Sequence, residues 1–301
     1  MASTLVSFSN ELASLVEKTS APVVAVHARP RFHSSGVHWA DGIVVTAEHA
    51  LQQDEEILVS TASGEKLPAE LAGRDPGTDL ALLRVKGLAI PTASKREDTG
   101  YRAGDLVMAI GRNKDSVNAS LGVVSSIGGA SQTWRGGKLD QVIRLDLALQ
   151  PASAGAAIVD ASGKLIGIAT PVLSRAAVFA VPNATVERVV KALLEHGRLR
   201  HGYLGAGLQP IPLPEHLIKR LELTASNGLM TVSVDDEGPA AKAGLMIGDV
   251  LLELNGEPVQ RPESLRPLLS EFIGNALAAR VLRGGELANV EFTVVERPGS
   301  K

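Results

Sequence analysis

The first regular pattern in the chain is a short amphipathic segment near its start. Between residues 4 and 18, Leu5, Phe8, Leu12 and Leu15 recur at intervals of three or four. This spacing places the four side chains on one face of an α-helix, whereas a strand would alternate its side chains between two faces. The pattern predicts one amphipathic helix, which we assign to residues 1–20.

The hydrophobic pattern changes after this helix and keeps its new character to about residue 182. Short runs rich in Val, Ile and Leu, such as GIVVTA, LALLRV, DLVMAIG and KLIGIAT, are separated by Gly, Pro, Asp or Asn. Short β-branched runs bounded by turn-forming residues are typical of strands. Many such runs in succession predict an all-β domain, built as a sandwich or as a pair of barrels.

A helical pattern returns in the stretch NATVERVVKALLEHG. Its apolar stripe consists of Val186, Val189, Val190 and Leu193. Asn183 or Thr185 can cap the amino end, because such side chains accept hydrogen bonds from the free N–H groups of a first turn. Gly197 can end the helix, because glycine readily adopts the left-handed conformation found just after a helix.

The stretch HGYLGAGLQPIPLP, rich in Gly and Pro, marks a junction near residue 200. Beyond it, residues 203–297 mix strand-like runs with two predicted helices. One helix is expected after GPAAKAGL, and the other over residues 264–273 with Ser264 as its N-cap. The chain is therefore expected to contain a β-rich unit followed by a smaller unit of mixed helices and strands.

Composition excludes several classes of function. Hydrophobic residues make up 45% of the 301 residues and charged residues 21%, which is ordinary for a globular protein. The formal net charge is −3 and acids and bases are mixed along the chain, so we expect no nucleic-acid partner. The chain has no cysteine, and its seven histidines show no spacing typical of a metal site. We expect neither a metal nor a cofactor.

The sequence also bears on localisation. No apolar run approaches the roughly 20 residues that a membrane-spanning helix needs, so no membrane span is expected. The first 20 residues contain no basic segment followed by an apolar one, so we expect no signal peptide in the chain as written. A chain trimmed of its leader would look the same, which leaves the compartment open.

Three stretches carry residues that could do chemistry together. His49 follows an apolar run in VVTAEHAL, and Asp79 lies in a turn before another run in DPGTDLALLRV. The third stretch is QPASAGAAIVD, residues 150–160, in which small residues form a tight turn before a β-branched run. A His, then an Asp, then such a turn is the chain order of trypsin-like triads, in which Asp orients His and His takes the proton of a hydroxyl.

These stretches, with LGVVSSIG and VFAVPNATVERVV, resemble the HtrA-type (DegP/DegS-like) serine proteases in order and spacing. The stretches GYLGAGL and DDEGPAAKAGLMIGDVLLELNGEPV resemble the PDZ domain of that family. The resemblance implies a mainly β fold: a trypsin-like double six-stranded β-barrel with the active site between the barrels, followed by an α+β PDZ domain. The expected boundaries are an N-terminal helix over 1–20, a protease domain over 21–200 and a PDZ domain over 201–297.

The resemblance assigns catalytic positions one by one. His49 matches the general base, Asp79 the acid that orients it, and Ala154 the nucleophile position. A methyl group cannot attack a carbonyl carbon, so the resemblance implies no useful hydrolysis by this chain.

The nucleophile loop departs from the family in more than one place. The family reads Gly-Asn-Ser-Gly-Gly, whereas this chain reads Ala152, Ser153, Ala154, Gly155, Ala156. The oxyanion hole of the family would be formed here by the N–H groups of Ala152 and Ala154. Alanine is more restricted than the glycine of the family at position 152, which puts that oxyanion hole in doubt.

Four interpretations of the site stay open. The leading one is a catalytically silent HtrA-like protein that binds peptides or proteins, because the loop has changed while His49 and Asp79 are retained. The second is an active serine endopeptidase of protein quality control whose nucleophile was replaced by Ala154. In the third, Ser153 acts as a shifted nucleophile, although a slip of one residue on a tight turn typically points a side chain elsewhere. The fourth is a binding module with no protease ancestry.

The resemblance also assigns a peptide-binding site in the PDZ domain. The loop whose N–H groups would receive the terminal carboxylate of a peptide consists of Tyr203, Leu204, Gly205 and Ala206. The strand after it would pair with the peptide, and Leu265, Leu268 and Leu269 would form the floor of the groove unless they belong to the core. The expected partners are unfolded segments or C-terminal peptides.

Three further expectations come from the family. HtrA proteins commonly form trimers through their protease domains, so we expect a homotrimer to which Phe8 could contribute. The apolar stretch TPVLSRAAVFAVP is expected to line the primary specificity pocket and to favour small or medium aliphatic side chains. The family works mostly outside the cytoplasm, which would make the protein periplasmic if a leader had been removed.

Overall fold

The computed structural model describes residues 3–29, 33–53, 55–114, 116–174, 177–197 and 202–296. The chain divides into two compact units, residues 1–199 and residues 200–301. The first unit opens with helix α1, Thr4–Thr19, whose N-cap is Ser3. None of the α1 side chains is fully buried, although Leu12, Leu15 and Val16 pack against the core.

The first six strands form a closed barrel. They are β1 (Val23–His27), β2 (Ser34–Ala40), β3 (Ile43–Ala47), β4 (Ile57–Ser60), β5 (Lys66–Asp75) and β6 (Leu80–Val85). Their order around the barrel is β1-β2-β3-β6-β5-β4, and every neighbouring pair is antiparallel. The interior is aliphatic, with Val24, Val26, Val44 and Leu83 fully buried.

A second closed barrel and a small hairpin follow. The elements are β7 (Leu106–Asn113), β8 (Ser116–Gly128), β9 (Ser131–Gln132), β10 (Lys138–Leu139), β11 (Val142–Asp146), β12 (Ala157–Asp160), β13 (Leu165–Thr170) and β14 (Val178–Pro182). The barrel order is β11-β14-β13-β12-β7-β8, while β9 and β10 pair only with each other. One apolar cluster joins residues of both barrels, including Val37 and Val45 of the first and Ile110 and Ile168 of the second.

Helix α2, Asn183–His196, closes the first unit and buries its predicted stripe against the core. Gly197 follows it in the left-handed conformation, as predicted. The predicted N-caps are wrong, because the N-cap position is Pro182 and makes no side-chain hydrogen bond. The Asn183 amide instead donates to the Leu165 carbonyl, at 2.6 Å, and the Thr185 hydroxyl donates to Asp140, at 2.9 Å.

The second unit contains β15 (Gly202–Tyr203), β16 (Ala206–Pro212), α3 (Glu215–Arg220), β17 (Asn227–Val234), α4 (Pro239–Lys242), β18 (Val250–Leu254), β19 (Glu257–Pro258), α5 (Pro262–Glu271), β20 (Ala276–Arg283), β21 (Glu286–Thr293) and β22 (Val295–Glu296). The main sheet has the order β16-β17-β18-β20-β21, with β19 on β18, and β15 pairs with β22. The two predicted helices begin earlier than expected. The short one, α4, lies inside the GPAAKAGL stretch rather than after it, and α5 begins at Pro262, so Ser264 is not its N-cap.

The architecture confirms the predicted fold class: a mainly β chain with two six-stranded barrels followed by a unit of mixed helices and strands. Among the described residues, no helix is long and apolar enough to cross a membrane.

Candidate active site and peptide-binding groove

His49 lies in a single 3-10 turn, Glu48–Ala50, that directly follows β3. Its ring Nδ1 lies 2.8 Å from Oδ2 and 2.9 Å from Oδ1 of Asp79, and its backbone N–H donates to the same carboxylate at 2.9 Å. The Arg29 guanidinium holds the turn from the other side by donating to the carbonyls of His49 and Ala50. The Asp79 carboxylate therefore fixes the orientation of the imidazole, and Arg29 fixes the backbone of the turn.

Asp79 ends the turn between β5 and β6 with a φ of +59°, a conformation that Asp tolerates better than most residues. Its carboxylate is completely buried, whereas 22% of the His49 side chain is exposed. The Thr170 hydroxyl, at the end of β13, donates to Asp79 Oδ2. A buried carboxylate needs hydrogen-bond donors to offset its loss of water, and His49 and Thr170 supply them here.

The small-residue loop begins with a 3-10 turn, Pro151–Ser153, and Ala154 follows it directly. The Ala154 side chain is 4% exposed and packs with Ala47 and Ala50, at the two ends of the turn that bears His49. The structure thus brings His49, Asp79 and Ala154 together.

Ser153 faces a different neighbour. Its side chain is buried, and a methyl group placed on Gly111 of β7 would lie 2.9 Å from its Oγ. Among the described residues, no hydrogen bond joins Ser153 to His49, whose Nδ1 bonds to Asp79. The hydroxyl that stands one residue early in the loop therefore points toward the second barrel.

Most peptide groups of the loop are tied to the rest of the fold. Ser153 N–H donates to the Gln150 carbonyl at 2.8 Å, Gly155 N–H to the Ala169 carbonyl at 3.0 Å, and Ala156 N–H to the Ser153 carbonyl at 3.0 Å. The N–H groups of Ala152 and Ala154 donate to no described group. These are the two donors that the resemblance assigns to the oxyanion hole.

Ser35 of β2, which the sequence did not single out, binds two carbonyls of this loop. Its N–H donates to the Ala154 carbonyl at 2.9 Å, and its hydroxyl donates to the Ala152 carbonyl at 2.8 Å. The same hydroxyl accepts from Arg112 N–H at 2.9 Å, while the buried Arg112 guanidinium donates to the carbonyls of Val23 and Ser20. Ser35 therefore joins the loop to both barrels and, through Arg112, to the end of α1.

The β9–β10 hairpin contacts two parts of the site, the turn before Asp79 and the segment after β13. Gly137 packs on Gly77 in the Asp79 turn so closely that a Cβ on Gly137 would lie 2.2 Å from the Gly77 carbonyl carbon. Thr133 donates to the Gly77 carbonyl at 2.6 Å, and the Trp134 indole donates to the Val172 carbonyl at 3.3 Å. The hairpin thus supports the turn that presents Asp79.

In the second unit, Gly205 has a φ of +74° and turns the chain from β15 into β16. The Leu204 and Gly205 carbonyls accept from the N–H groups of Ala240 and Asp235, each at 2.8 Å. The Tyr203 hydroxyl donates to the Asp235 carboxylate. These bonds fix the loop of Tyr203, Leu204, Gly205 and Ala206 between β15, the start of α4 and the end of β17.

Comparisons with known proteins agree with this arrangement. A model of the trypsin-like peptidase domain matches residues 34–168, and a model of the PDZ domain matches residues 202–294. A probable periplasmic DegP-like serine endoprotease of Brucella suis is 33% identical over 292 residues, covering 91% of this chain and 55% of that relative. A DegP-like relative from Pseudomonas fluorescens is 31% identical over 262 residues, covering 85% and 54%. The chain thus spans about half the length of the curated relatives it matches.

Solved structures match over the whole described architecture. The HtrA-type protease AlgW with a decapeptide has a TM-score of 0.80 at 26% identity, covering 96% of this chain and 99% of that one. The serine endoprotease from Yersinia pestis has a TM-score of 0.77 at 27% identity, covering 95% and 98%. The chain has the scaffold of an HtrA-type serine protease.

Two expectations about this HtrA-type scaffold concern its pockets. In the stretch expected to line the primary pocket, Leu173 and Phe179 are buried in the core shared by the barrels, and residues 175–176 lie outside the described residues. In the PDZ unit, Leu265 and Leu269 are buried in the core, and Leu268 is partly buried against the same cluster. Of the three leucines, Leu268 is the one with most surface left for a ligand.

The residues that the sequence missed around this HtrA-type site are Arg29, Ser35, Arg112 and Thr170. Each acts through bonds to groups far away in the chain: Ser35 lies 117 residues from Ala152, and Thr170 lies 91 residues from Asp79. The only local signal was the position of Thr170 at the end of a strand. Among the described residues, no group of three or more His, Asp or Glu side chains could hold a metal ion.

Proposed function

We propose that this protein is a catalytically silent HtrA-like protein that binds peptide or protein segments without cleaving them. The observation that carries this proposal is Ala154, whose methyl group packs with Ala47 and Ala50 around the His49 turn, where the nucleophile would stand. His49 occupies the position of the general base and Asp79 that of the acid that orients it.

The missing hydroxyl stops the reaction at its first step. In a triad, the imidazole removes the proton of a hydroxyl while the oxygen attacks the scissile carbonyl carbon. The Ala154 methyl has neither an acidic proton nor a lone pair. Removing the nucleophile of a working triad costs about 10⁶ in turnover, so this chain should keep at most the roughly 10³- to 10⁴-fold acceleration over water that binding and the oxyanion hole provide.

The loop around Ala154 supports the same reading. Ala152 lies in the 3-10 turn, and it is not among the described non-glycine residues with positive φ. A glycine at this position could turn its peptide into the left-handed region freely, whereas alanine would pay about 1 to 2 kcal/mol. The N–H groups of Ala152 and Ala154 are still without described partners, which would allow them to hold the carbonyl of a bound segment.

The second candidate is an active serine endopeptidase whose nucleophile was replaced. It is favoured by the retained hydrogen bonds among His49, Asp79 and Thr170, which are those that a general base needs. The test is Ala154→Ser with an unfolded protein such as casein as substrate. We expect the variant to stay inactive, and strong cleavage would replace the silent-protein proposal with the endopeptidase.

A fluorophosphonate probe tests the remaining catalytic reading, in which Ser153 is the nucleophile. Because the Ser153 side chain faces Gly111, we expect no labelling of the native chain. Labelling that disappears in Ser153→Ala would show that Ser153 is reactive. A positive control is available in any active trypsin-like protease treated in parallel.

The PDZ unit supplies the proposed binding activity. The loop of Tyr203, Leu204, Gly205 and Ala206 would receive the terminal carboxylate of a peptide, and β16 would pair with it. The AlgW structure named above holds a decapeptide, which supports peptides as the ligand class.

Assembly and compartment are also proposals. Leu5, Val6 and Phe8 of α1 are exposed, and burying them between copies would support a homotrimer. Sedimentation at micromolar concentration tests this, and a monomer would contradict it. The named relatives are periplasmic proteases, and on that basis we propose a periplasmic location, to be tested by fractionation of cells that express the natural gene.

A further inference from the structure

Strand β16 lies at the edge of the PDZ sheet. It pairs with β17 along its whole length, from Ala206 opposite Val234 to Pro212 opposite Asn227. In the described sheet, its other edge is paired with no strand. This open edge is the place where an added peptide strand would form its backbone hydrogen bonds.

The direction of each N–H group along β16 follows from one bond at its end. Leu213 N–H donates to the Ser226 carbonyl, on the side of β17. Successive residues of a strand direct their backbone groups to opposite edges, so the N–H groups of Ile211 and Gln209 also point toward β17. The backbone nitrogens of Leu208, Pro210 and Pro212 therefore face the open edge.

Two of these three outward positions cannot donate. Proline has no N–H, which is why it is tolerated in a sheet only where its nitrogen faces away from a partner strand. Leu208 is thus the last residue of β16 that offers an N–H to an added strand. Both prolines are exposed, whereas Ala206 and Leu208 pack against the cluster that contains Leu265 and Leu269.

We propose that this groove holds only the last three residues of a C-terminal peptide by full backbone pairing. With the final residue opposite Ala206, an antiparallel peptide places its third residue from the end opposite Leu208. Its fifth residue from the end would face Pro210, where its carbonyl would find no donor. At Pro210 only the carbonyl can still accept a bond from the peptide, so full pairing ends before that residue and Pro210 limits the length of segment that the groove recognises.

This inference rests on the peptide binding proposed above, but not on whether the protease unit is silent. The probe is a library of decapeptides with free, randomised C-termini, selected on the full chain. The enriched sequence is then prepared as its last three, last five and all ten residues, each acetylated at its amino end. Binding of each peptide is measured by calorimetry.

We expect the three peptides to bind the native chain within about twofold of one another. Pro210→Val restores an outward N–H in a residue that favours strands. It should therefore strengthen binding of the five-residue peptide by about three- to tenfold and leave binding of the three-residue peptide unchanged. Pro212→Val is the matched control, because its position lies beyond the reach of a five-residue peptide. Circular dichroism establishes that each variant is folded.

A second measurement does not depend on any variant. Amide exchange of the bound ten-residue peptide should be slowed strongly only in its last three residues. If the native chain binds the five- or ten-residue peptide more than about fivefold tighter than the three-residue peptide, or slows exchange equally strongly further along the peptide, the length limit is wrong while peptide binding stands. If no peptide of any length is enriched or bound, the limit and the proposed peptide binding fall together.

Discussion

The two halves of the candidate active site differ in whether the side chain that would do chemistry also holds the fold. The His49–Asp79 half is joined by side-chain and backbone bonds: Asp79 accepts from the His49 ring, the His49 N–H and the Thr170 hydroxyl. At the loop half, the side chain of Ala154 makes only apolar contacts, with Ala47 and Ala50. In the His49–Asp79 half, the groups that would do chemistry also hold the fold together, whereas in the loop half the side chain at position 154 does not.

This difference gives a physical reason why a general base can remain without a nucleophile. Removing Asp79 or its donors would leave buried polar groups without partners, and each such group costs about 1 to 3 kcal/mol. Replacing a hydroxyl by a hydrogen at position 154 leaves a small apolar residue in a small apolar site. The chemistry can therefore be lost at 154 with little effect on stability, whereas it cannot be lost at Asp79.

The largest effect is expected where the loop touches the first barrel. A Cβ on Gly155 would lie 2.3 Å from the Ser35 carbonyl oxygen and 2.8 Å from the Ala47 nitrogen, and Gly155 has a φ of +79°. Both the close contacts and the φ disfavour alanine, so Gly155→Ala should lower the free energy of unfolding by about 3 to 5 kcal/mol. Denaturant unfolding measures this loss.

Gly129→Ala is the matched control for that variant. A Cβ there would meet nothing within 4 Å, so its effect should stay within about 0.5 kcal/mol. If Gly155→Ala were equally mild, the loop would not be held against the first barrel as described.

The next effect tests the His–Asp half directly. Asp79→Asn keeps the shape and tolerates the positive φ, but it replaces one of the two acceptor oxygens by an NH2 group, which cannot accept a hydrogen bond from His49 or Thr170. We expect a loss of about 2 to 3 kcal/mol in unfolding and a shift of the His49 ring nitrogens in NMR spectra. Asp146→Asn, at an exposed position, should change neither. If Asp79→Asn left the free energy of unfolding unchanged, the hydrogen bonds of Asp79 to His49 and Thr170 would not stabilise the fold.

How much of this site the sequence could predict depended on whether a residue's partners were near it in the chain. His49, Asp79 and the loop at 151–155 each lie in a contiguous stretch with its own strand and turn signals. Ser35 has no such signal, because its role comes from carbonyls more than a hundred residues away. Nothing in the stretch HSSGVHW distinguishes Ser35 from Ser34 before the barrels are assembled.

The errors in the helix caps have the same origin. Asn183 and Thr185 have the local chemistry of N-caps, but their side chains bond to Leu165 and Asp140 in other elements. The fold class, by contrast, was predictable, because it follows from many short strand patterns and from the resemblance rather than from any single contact. Long-range polar contacts are what the pattern of the chain could not reveal.

The third prediction uses the two neighbouring serines. Ser35→Ala removes the donor to the Ala152 carbonyl and the acceptor for Arg112 N–H, so it should cost about 1 to 3 kcal/mol and speed amide exchange in residues 152–156. Ser34→Ala is the control, since the Ser34 hydroxyl is buried without a partner among the described residues and its removal should cost nothing. Equal effects of the two variants would remove Ser35 as the residue that positions the loop.

The smallest effect concerns a buried carboxylate in the other unit, which offers a comparison with Asp79. Burial alone would raise the pKa of Asp249, but two bonds from Arg283 and one from Met246 N–H outweigh it and hold the pKa below its ordinary value of 3.8. A carboxylate whose pKa is lowered by folding stabilises the folded state above its unfolded pKa, and this contribution is lost as the pH falls through the folded value.

Amide exchange in β18 and β20 should therefore accelerate between about pH 5 and pH 3 more steeply in the native chain than in Asp249→Asn, once the intrinsic pH dependence of exchange is removed. Asp236→Asn, at an exposed position, is the matched control and should keep the native profile. Asp249 bonds to the Arg283 guanidinium, which stays charged throughout this pH range. The pH dependence of its contribution to stability therefore comes from the carboxylate alone. Asp79, by contrast, accepts its bonds from the His49 ring and the Thr170 hydroxyl rather than from a guanidinium. If the native chain and Asp249→Asn showed the same pH profile, the bonds from Arg283 and Met246 would not stabilise the folded state through the Asp249 carboxylate.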